Sequence, residues 1–314
     1  MNKKRNYKII RIVSFILLFS IFLQIILGAW VRLTGSGMSC PDWPLCYGFW
    51  IPTPSKVATI AYVEFTYFQI FLEWIHRANA AFIIGPICLV FSLFIIFKKN
   101  IDHIFKKYAY LLMVLIFIQG GLGGLTVFKS NIPWSVAIHL IFAFLLYLAT
   151  FIIIIRTYDI RNNQFIANNS IKILTFFCGL LTMIAAALGA FTSKYGASLS
   201  CNSWPGCESN FFPSLNDSFQ IIHFSHRVTA FLLTLAIFTL FIMLRSHFKK
   251  LSKILKKILY SIFSIILFQI VIGGLLIYME VPIWMGIFHQ ATALLLFTFI
   301  VLFYLHINLT INKA

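Results

Sequence analysis

Eight apolar runs divide this chain, at about 9–31, 64–97, 106–128, 133–156, 171–192, 219–244, 255–278 and 282–308. Each reaches or exceeds the ~20 residues that a helix needs to cross the hydrocarbon of a bilayer. In lipid every backbone polar group must find its partner inside the segment, so runs of this length can only be helices. The expected fold is therefore an all-α integral membrane protein with eight transmembrane helices. Composition agrees, because a chain 61% hydrophobic and 11% charged lacks the polar surface that a soluble fold requires. The second run begins at Glu64 or Thr66 and is longer than a bilayer demands, so its first turns should project beyond the hydrocarbon. The first run follows a basic start and ends in no convincing small-residue cleavage site. It reads as a retained helix rather than a signal peptide.

The formal charge of +17 invites a nucleic-acid reading, but the basic residues stand in short clusters between apolar runs. The N-terminus (Lys3, Lys4, Arg5, Lys8, Arg11), the second loop (Lys98, Lys99, Lys106, Lys107), the fourth (Arg156, Arg161, Lys172), the sixth (Arg245, Lys249, Lys250, Lys253, Lys256, Lys257) and Lys313 hold 19 basic residues on one side. Arg32, Lys56, Lys129 and Lys194 are the 4 on the other. This asymmetry places both termini in the cytoplasm and excludes nucleic acid as the partner. Cys40 and Cys46, like Cys201 and Cys207, then lie in outward loops where an oxidising compartment permits disulfides. Two short staples are favoured over metal binding, since neither loop offers further Cys or His ligands. Cys88 and Cys178 fall inside apolar runs and read as small core residues.

The two halves repeat one another. Gly28 to Cys40 and Gly189 to Cys201 both span 12 residues, and Trp43-Pro44 and Trp204-Pro205 sit inside the two Cys pairs, all at an offset of 161. His76 to His139 and His226 to His289 both span 63, and Gly123-Gly124 and Gly273-Gly274 precede the later histidines by 16, at an offset of 150. The first outward loop is thus 11 residues longer than its counterpart. The expectation is an internal duplication into two homologous four-helix bundles, residues 1–157 and 158–314. Gln24, Gln119 and Gln269 each precede a small pair by four, and Ala185 takes that place before Gly189-Ala190. Small pairs let a helix, or a flat ligand, approach the backbone.

Ionisable side chains inside a membrane demand a role. His76, His139, His226 and His289 all fall in the outer part of the even-numbered spans; His139 and His289 lie roughly 10 Å below their helix starts at 1.5 Å per residue. In an up-down bundle the second and fourth helices are diagonal and parallel, so two facing imidazoles can ligate one iron from opposite sides of a porphyrin. Zinc fits less well for want of a four-ligand set. Arg77 and Arg227 follow their histidines and either cap polar groups in the bundle or bind haem propionates, with Arg32 and Lys194 as alternatives. Glu73 shares a helix face with His76, where it could act as a general base, stabilise a developing cation, or orient the ligand. The second half places His223 there instead, as a structural substitute. His103, His247 and His306 receive no role.

Arg32-Leu33-Thr34-Gly35-Ser36-Gly37, Ser39-Cys40-Pro41-Asp42-Trp43-Pro44-Leu45-Cys46, Glu73-x-x-His76-Arg77, His139, His226-Arg227 and His289 together resemble the haem A synthase family, from the first span to the last. The resemblance implies an oxidoreductase of the bacterial plasma membrane, serving cytochrome oxidase biogenesis, that converts the C8 methyl of haem O to the formyl of haem A. It implies haem O as substrate between His76 and His139, Glu73 as the catalytic residue, and haem b as cofactor on His226 and His289, passing electrons to an unidentified acceptor. Haem O synthase (protohaem farnesyltransferase) is the implied supplier, both haem sites face outward, and a homo-oligomer stays open. The residues alone also leave open a di-haem electron-transfer cytochrome and a transporter with repeated halves.

Overall fold

The computed structural model describes residues 3–158, 165–207 and 211–309; Arg161 and Lys313 of the charge count lie outside them. Eight helices among these residues are long and apolar enough to cross a membrane. They are α1 (Lys3–Leu33), α2 (Tyr67–Phe97), α3 (His103–Phe128), α4 (Pro133–Arg156), α5 (Asn169–Tyr195), α6 (Ser218–Arg245), α7 (Lys253–Tyr278) and α8 (Ile283–Leu309). The chain is all-helical and multi-pass.

Local chemistry sets the helix ends. Thr66 and Gln69 form a reciprocal capping box that starts α2, while Asn168, Asp217 and Ser252 accept from first-turn N–H groups of α5, α6 and α7. Pro133 occupies the first position of α4, where its missing N–H matters least. Gly196 ends α5 at φ 81, a conformation that glycine adopts without strain. Unlike α6, α2 is interrupted: residues Asn79–Ile84 form a π turn, and the Gly85 N–H reaches back to Ala80 O. Pro86 has no N–H to continue the α ladder, which is a cause of such turns.

The contacts divide the chain into Met1–Thr157 and Tyr158–Ala314. In the first unit α1 packs on α2 and α4, and α3 packs on the same two, so the histidine-bearing α2 and α4 stand on a diagonal. In the second, α5 and α7 each pack on α6 and α8, which again stand diagonally. Phe15, Phe19, Leu23, Phe231, Leu235 and Phe238 are exposed along helical faces, as lipid contact requires. The apolar core of the second unit draws on the first turns of α5 and α7 and the last turns of α6 and α8, including Cys178, Leu240, Ile262 and Phe303. That packing occupies one end of the unit and leaves the histidines at the other.

The longer first loop has its own small core. Cys40, Cys46, Val57 and Ile70 are buried together, with Tyr47, Ile60, Val63, Phe65 and Trp74 packed against them, and the segment contains a short helix, Pro54–Val57. Trp74 Nε1 ties it down by donating to Trp50 O at 2.7 Å.

Candidate haem-binding sites

Both loop cysteine pairs are disulfide-bonded, and Trp43-Pro44 and Trp204-Pro205 are both cis. Beneath each loop, an arginine gathers the loop carbonyls. Arg77 donates to Asp42 O, to Leu45 O at 2.9 Å and to Cys40 O at 2.9 Å. Arg227 donates to Ser203 O at 2.6 Å, to Cys201 O at 2.8 Å and to Gly206 O. The two guanidiniums therefore brace the loops.

The partner beside each arginine differs. Glu73, only 4% exposed, pairs with Arg77 Nη2 at 2.6 Å through Oε1, and its Oε2 accepts from Cys40 N at 2.7 Å and Ser39 Oγ at 3.0 Å. His223, 5% exposed, takes that place in the second unit, with Nε2 accepting from Arg227 Nε at 3.2 Å and Nδ1 facing Cys201 N at 3.4 Å. A buried carboxylate is thus fully satisfied at one loop, and an imidazole replaces it at the other. The Tyr47 phenol, outside the spans, is held above its ordinary pKa by burial first and then by Glu73, Glu64 and Asp42, so it stays a neutral hydrogen-bonding group.

Four further histidines fall two to a unit on the diagonal helices, His76 and His139 in the first and His226 and His289 in the second; His306 lies near the far end of α8, its Nδ1 2.9 Å from Leu302 O. His76, His139, His226 and His289 are each half-buried. A glycine stands against each ring. A Cβ on Gly28 would lie 3.1 Å from His76 Cε1, and one on Gly189 3.1 Å from His226 Cε1; on Gly123 and Gly273 the distance to the facing histidine Cε1 is 3.6 Å. The second member of each Gly-Gly pair does something else: Gly124 faces the Trp43 ring and Gly274 the Trp204 ring, so these positions seat the loops.

The polar partner of the His76 ring is Gln24, not Glu73. Gln24 Nε2 lies 3.1 Å from His76 Nδ1 and donates to His76 O at 2.8 Å, while its Oε1 accepts from Asn79 at 2.6 Å. Gln119 meets His139 in a similar way, at 3.3 Å from Nε2 and 3.2 Å from the carbonyl. Gln269 donates to His289 O at 2.9 Å, and His226 Nδ1 instead lies 3.0 Å from Ala185 O. His139 Nδ1 and His289 Nδ1 are buried without a partner. Only the repeated glutamine spacing hinted at these contacts; Asn79 carried no sequence signal, since it acts from the π turn.

Among the described residues no three His, Cys, Asp or Glu side chains converge to hold a bare metal ion. Two imidazoles on diagonal helices, glycine against each ring and the buried, unpartnered Nδ1 atoms of His139 and His289 fit a macrocycle that supplies its own equatorial ligands. Residues 11–301 match the family described as cytochrome oxidase assembly protein (COX15-CtaA). The chain belongs to this family. Relatives named Heme A synthase match nearly end to end. The Shewanella oneidensis protein is 30% identical, covering 90% of this chain and 92% of its own length. The Macrococcus caseolyticus protein is 27% identical, covering 98% and 99%. The Flavobacterium psychrophilum protein is 27% identical, covering 88% and 92%.

Proposed function

We propose that this member of the family is a haem A synthase, an oxidoreductase that oxidises the C8 methyl of haem O to a formyl group. Two successive hydroxylations of that methyl carbon each give up two electrons and two protons, the electrons passing to an acceptor outside the chain and the oxygen entering at the oxidation level of water, and loss of water from the doubly hydroxylated carbon leaves the aldehyde. His76 and His139 hold the substrate in the unit of residues 1–157, and His226 and His289 hold haem b in residues 158–314. Haem b, when bound, supplies one-electron redox capacity for passing electrons to an acceptor. The remaining work belongs to the chain. The histidine pairs orient each macrocycle, the glycines admit it, and the longer first loop, closed by Arg77 and the Trp74–Trp50 contact, excludes water. A propionate reaching Arg77 or Arg227 would share that guanidinium with loop carbonyls.

The observation that carries this reading is the difference between two otherwise corresponding sites. Glu73 keeps a negative charge one helical turn from His76, where His223 stands one turn from His226. Even while it accepts from Arg77, Cys40 and Ser39, a carboxylate there brings a negative charge that can stabilise positive charge developing at the substrate, and the His223 imidazole brings none. The correspondence supports descent by internal duplication, with chemistry kept in one copy. The basic-residue asymmetry supports cytoplasmic termini and outward haem sites in a bacterial plasma membrane.

Glu73→Gln tests the assignment, since it keeps the shape and removes the charge. The protein should retain its haem b absorbance, while haem A formation from haem O falls by roughly 10²–10³-fold, the range for loss of one preorganised electrostatic group. Chromatography of extracted haems reads both. Undiminished haem A in that variant removes Glu73 from the mechanism, and protein that carries haem b but never yields haem A is a di-haem cytochrome.

A further inference from the structure

The two haem sites hold their first histidines by hydrogen bonds of opposite sense. A neutral imidazole has one N–H and one lone pair, and only the lone-pair nitrogen can bind iron. Beside His226 the neighbour is the Ala185 carbonyl, which can only accept. Nδ1 therefore carries the proton, and the Nε2 lone pair is left for a metal, the arrangement that fixes and strengthens a histidine ligand. Beside His76 the neighbour is the Gln24 amide nitrogen, and its orientation is dictated by two further contacts. His76 O can only accept, so the group facing it at 2.8 Å must be the Gln24 NH2, and Gln24 Oε1 accepts from Asn79 Nδ2 at 2.6 Å. The same NH2 points at His76 Nδ1, 3.1 Å away. Nδ1 must then be the acceptor, and the proton sits on Nε2.

We propose that Gln24, clamped by Asn79 in the π turn of α2, is a positioning residue that makes His76 a releasable ligand, whereas the Ala185 carbonyl makes His226 a permanent one. The proposal rests on the assignment of the His76/His139 pair to substrate. For Nε2 to bind iron, the imidazole proton must pass from Nε2 to Nδ1, and the Gln24 NH2 must turn away from it. Binding at His76 thus competes with an existing hydrogen bond, and binding at His226 completes one. Sequence and geometry coincide here. Ala185 stands 161 residues after Gln24, the offset that relates Gly28 to Gly189, so the one glutamine of four that is missing is the one beside the permanent ligand. A substrate must enter and a product must leave; a resident cofactor must stay. The polarity of these contacts matches that division.

The test measures haem release from the full-length protein. Purified protein is loaded with protohaem IX, and transfer to an excess of apomyoglobin is followed by absorbance. Wild type should release in two phases, the fast one absent in His139→Ala and the slow one absent in His289→Ala. Gln24→Met keeps the length of the side chain and removes the donor. It should slow the fast phase by about tenfold, the equivalent of one hydrogen bond, and leave the slow phase unchanged. Damage to the site would speed release, so a slowing separates this role from a structural one. A fast phase unchanged or quickened, with the slow phase intact, overturns the proposal. Should Gln24→Met not accumulate, Gln24→Leu makes the same prediction and is overturned by the same result. If instead His139→Ala leaves both phases in place, the assignment of the first site has failed, which is a different outcome.

Discussion

Arg77 and Arg227 bind equivalent sets of loop carbonyls, yet what each would leave behind differs. Arg77→Leu strands the buried Glu73 carboxylate without its cation, a loss that typically costs about 3–5 kcal/mol. Arg227→Leu strands only an imidazole acceptor, a loss of roughly 1–3 kcal/mol. In thermal unfolding of the purified protein, Arg77→Leu should lower the midpoint more than Arg227→Leu; equal effects would mean that the Glu73 charge is compensated by something else. Glycine at 189 is as specific. Gly189→Ala places a methyl 3.1 Å from His226 Cε1, tight enough that the ring must shift. Haem b affinity should drop by about 1–3 kcal/mol, the usual range for overpacking, measured by haem titration of the apoprotein. Unaltered binding would mean that the ring gives way freely and is not fixed by α5.

At the scale of elements, the turns α3–α4 and α7–α8 close in one manner. Asn131 N donates to Thr126 O and Val281 N to Leu276 O, with Ser130, Asn131, Glu280 and Val281 all at φ between 52 and 56. Asparagine tolerates that conformation, but a β-branched side chain there is strained. Val281→Gly should stabilise the protein by about 1 kcal/mol, seen as a raised unfolding midpoint, and a lowered midpoint would show that Val281 packing outweighs the strain. Elements are also where the sequence was most and least legible. The eight spans were readable because lipid allows only one solution for an apolar run; the second start, left between Glu64 and Thr66, is fixed by the Thr66–Gln69 capping box. The π turn was not readable. Pro86 signals a disturbance, but whether the ladder kinks, breaks or takes an extra residue depends on what the freed side chains meet, and Asn79 meets Gln24, 55 residues away. The histidines stood out as polar residues in apolar runs, and spacing singled out Gln24 and Ala185 without showing what they do. Their importance lies in which atom they turn toward a ring, and spacing does not encode that.

For the whole molecule, the proposed topology follows from where the basic residues lie. Alkaline phosphatase joined after Ile60 should be active, outside the membrane, and joined after Lys99 inactive; the reverse pattern would invert the protein and carry both haem sites to the inner face. Each unit carries two histidines on diagonal helices, with Glu73 beside the arginine of the first and His223 beside that of the second, and the proposed reaction requires different haems in the two units. Chromatography and mass of the haems copurifying from cells that make haem O tests this most directly. Haem b is expected together with haem O or haem A, the latter two lost from His139→Ala and haem b lost from His289→Ala. Protein that carries a single type of haem whichever pair is altered, or none at all, would contradict it.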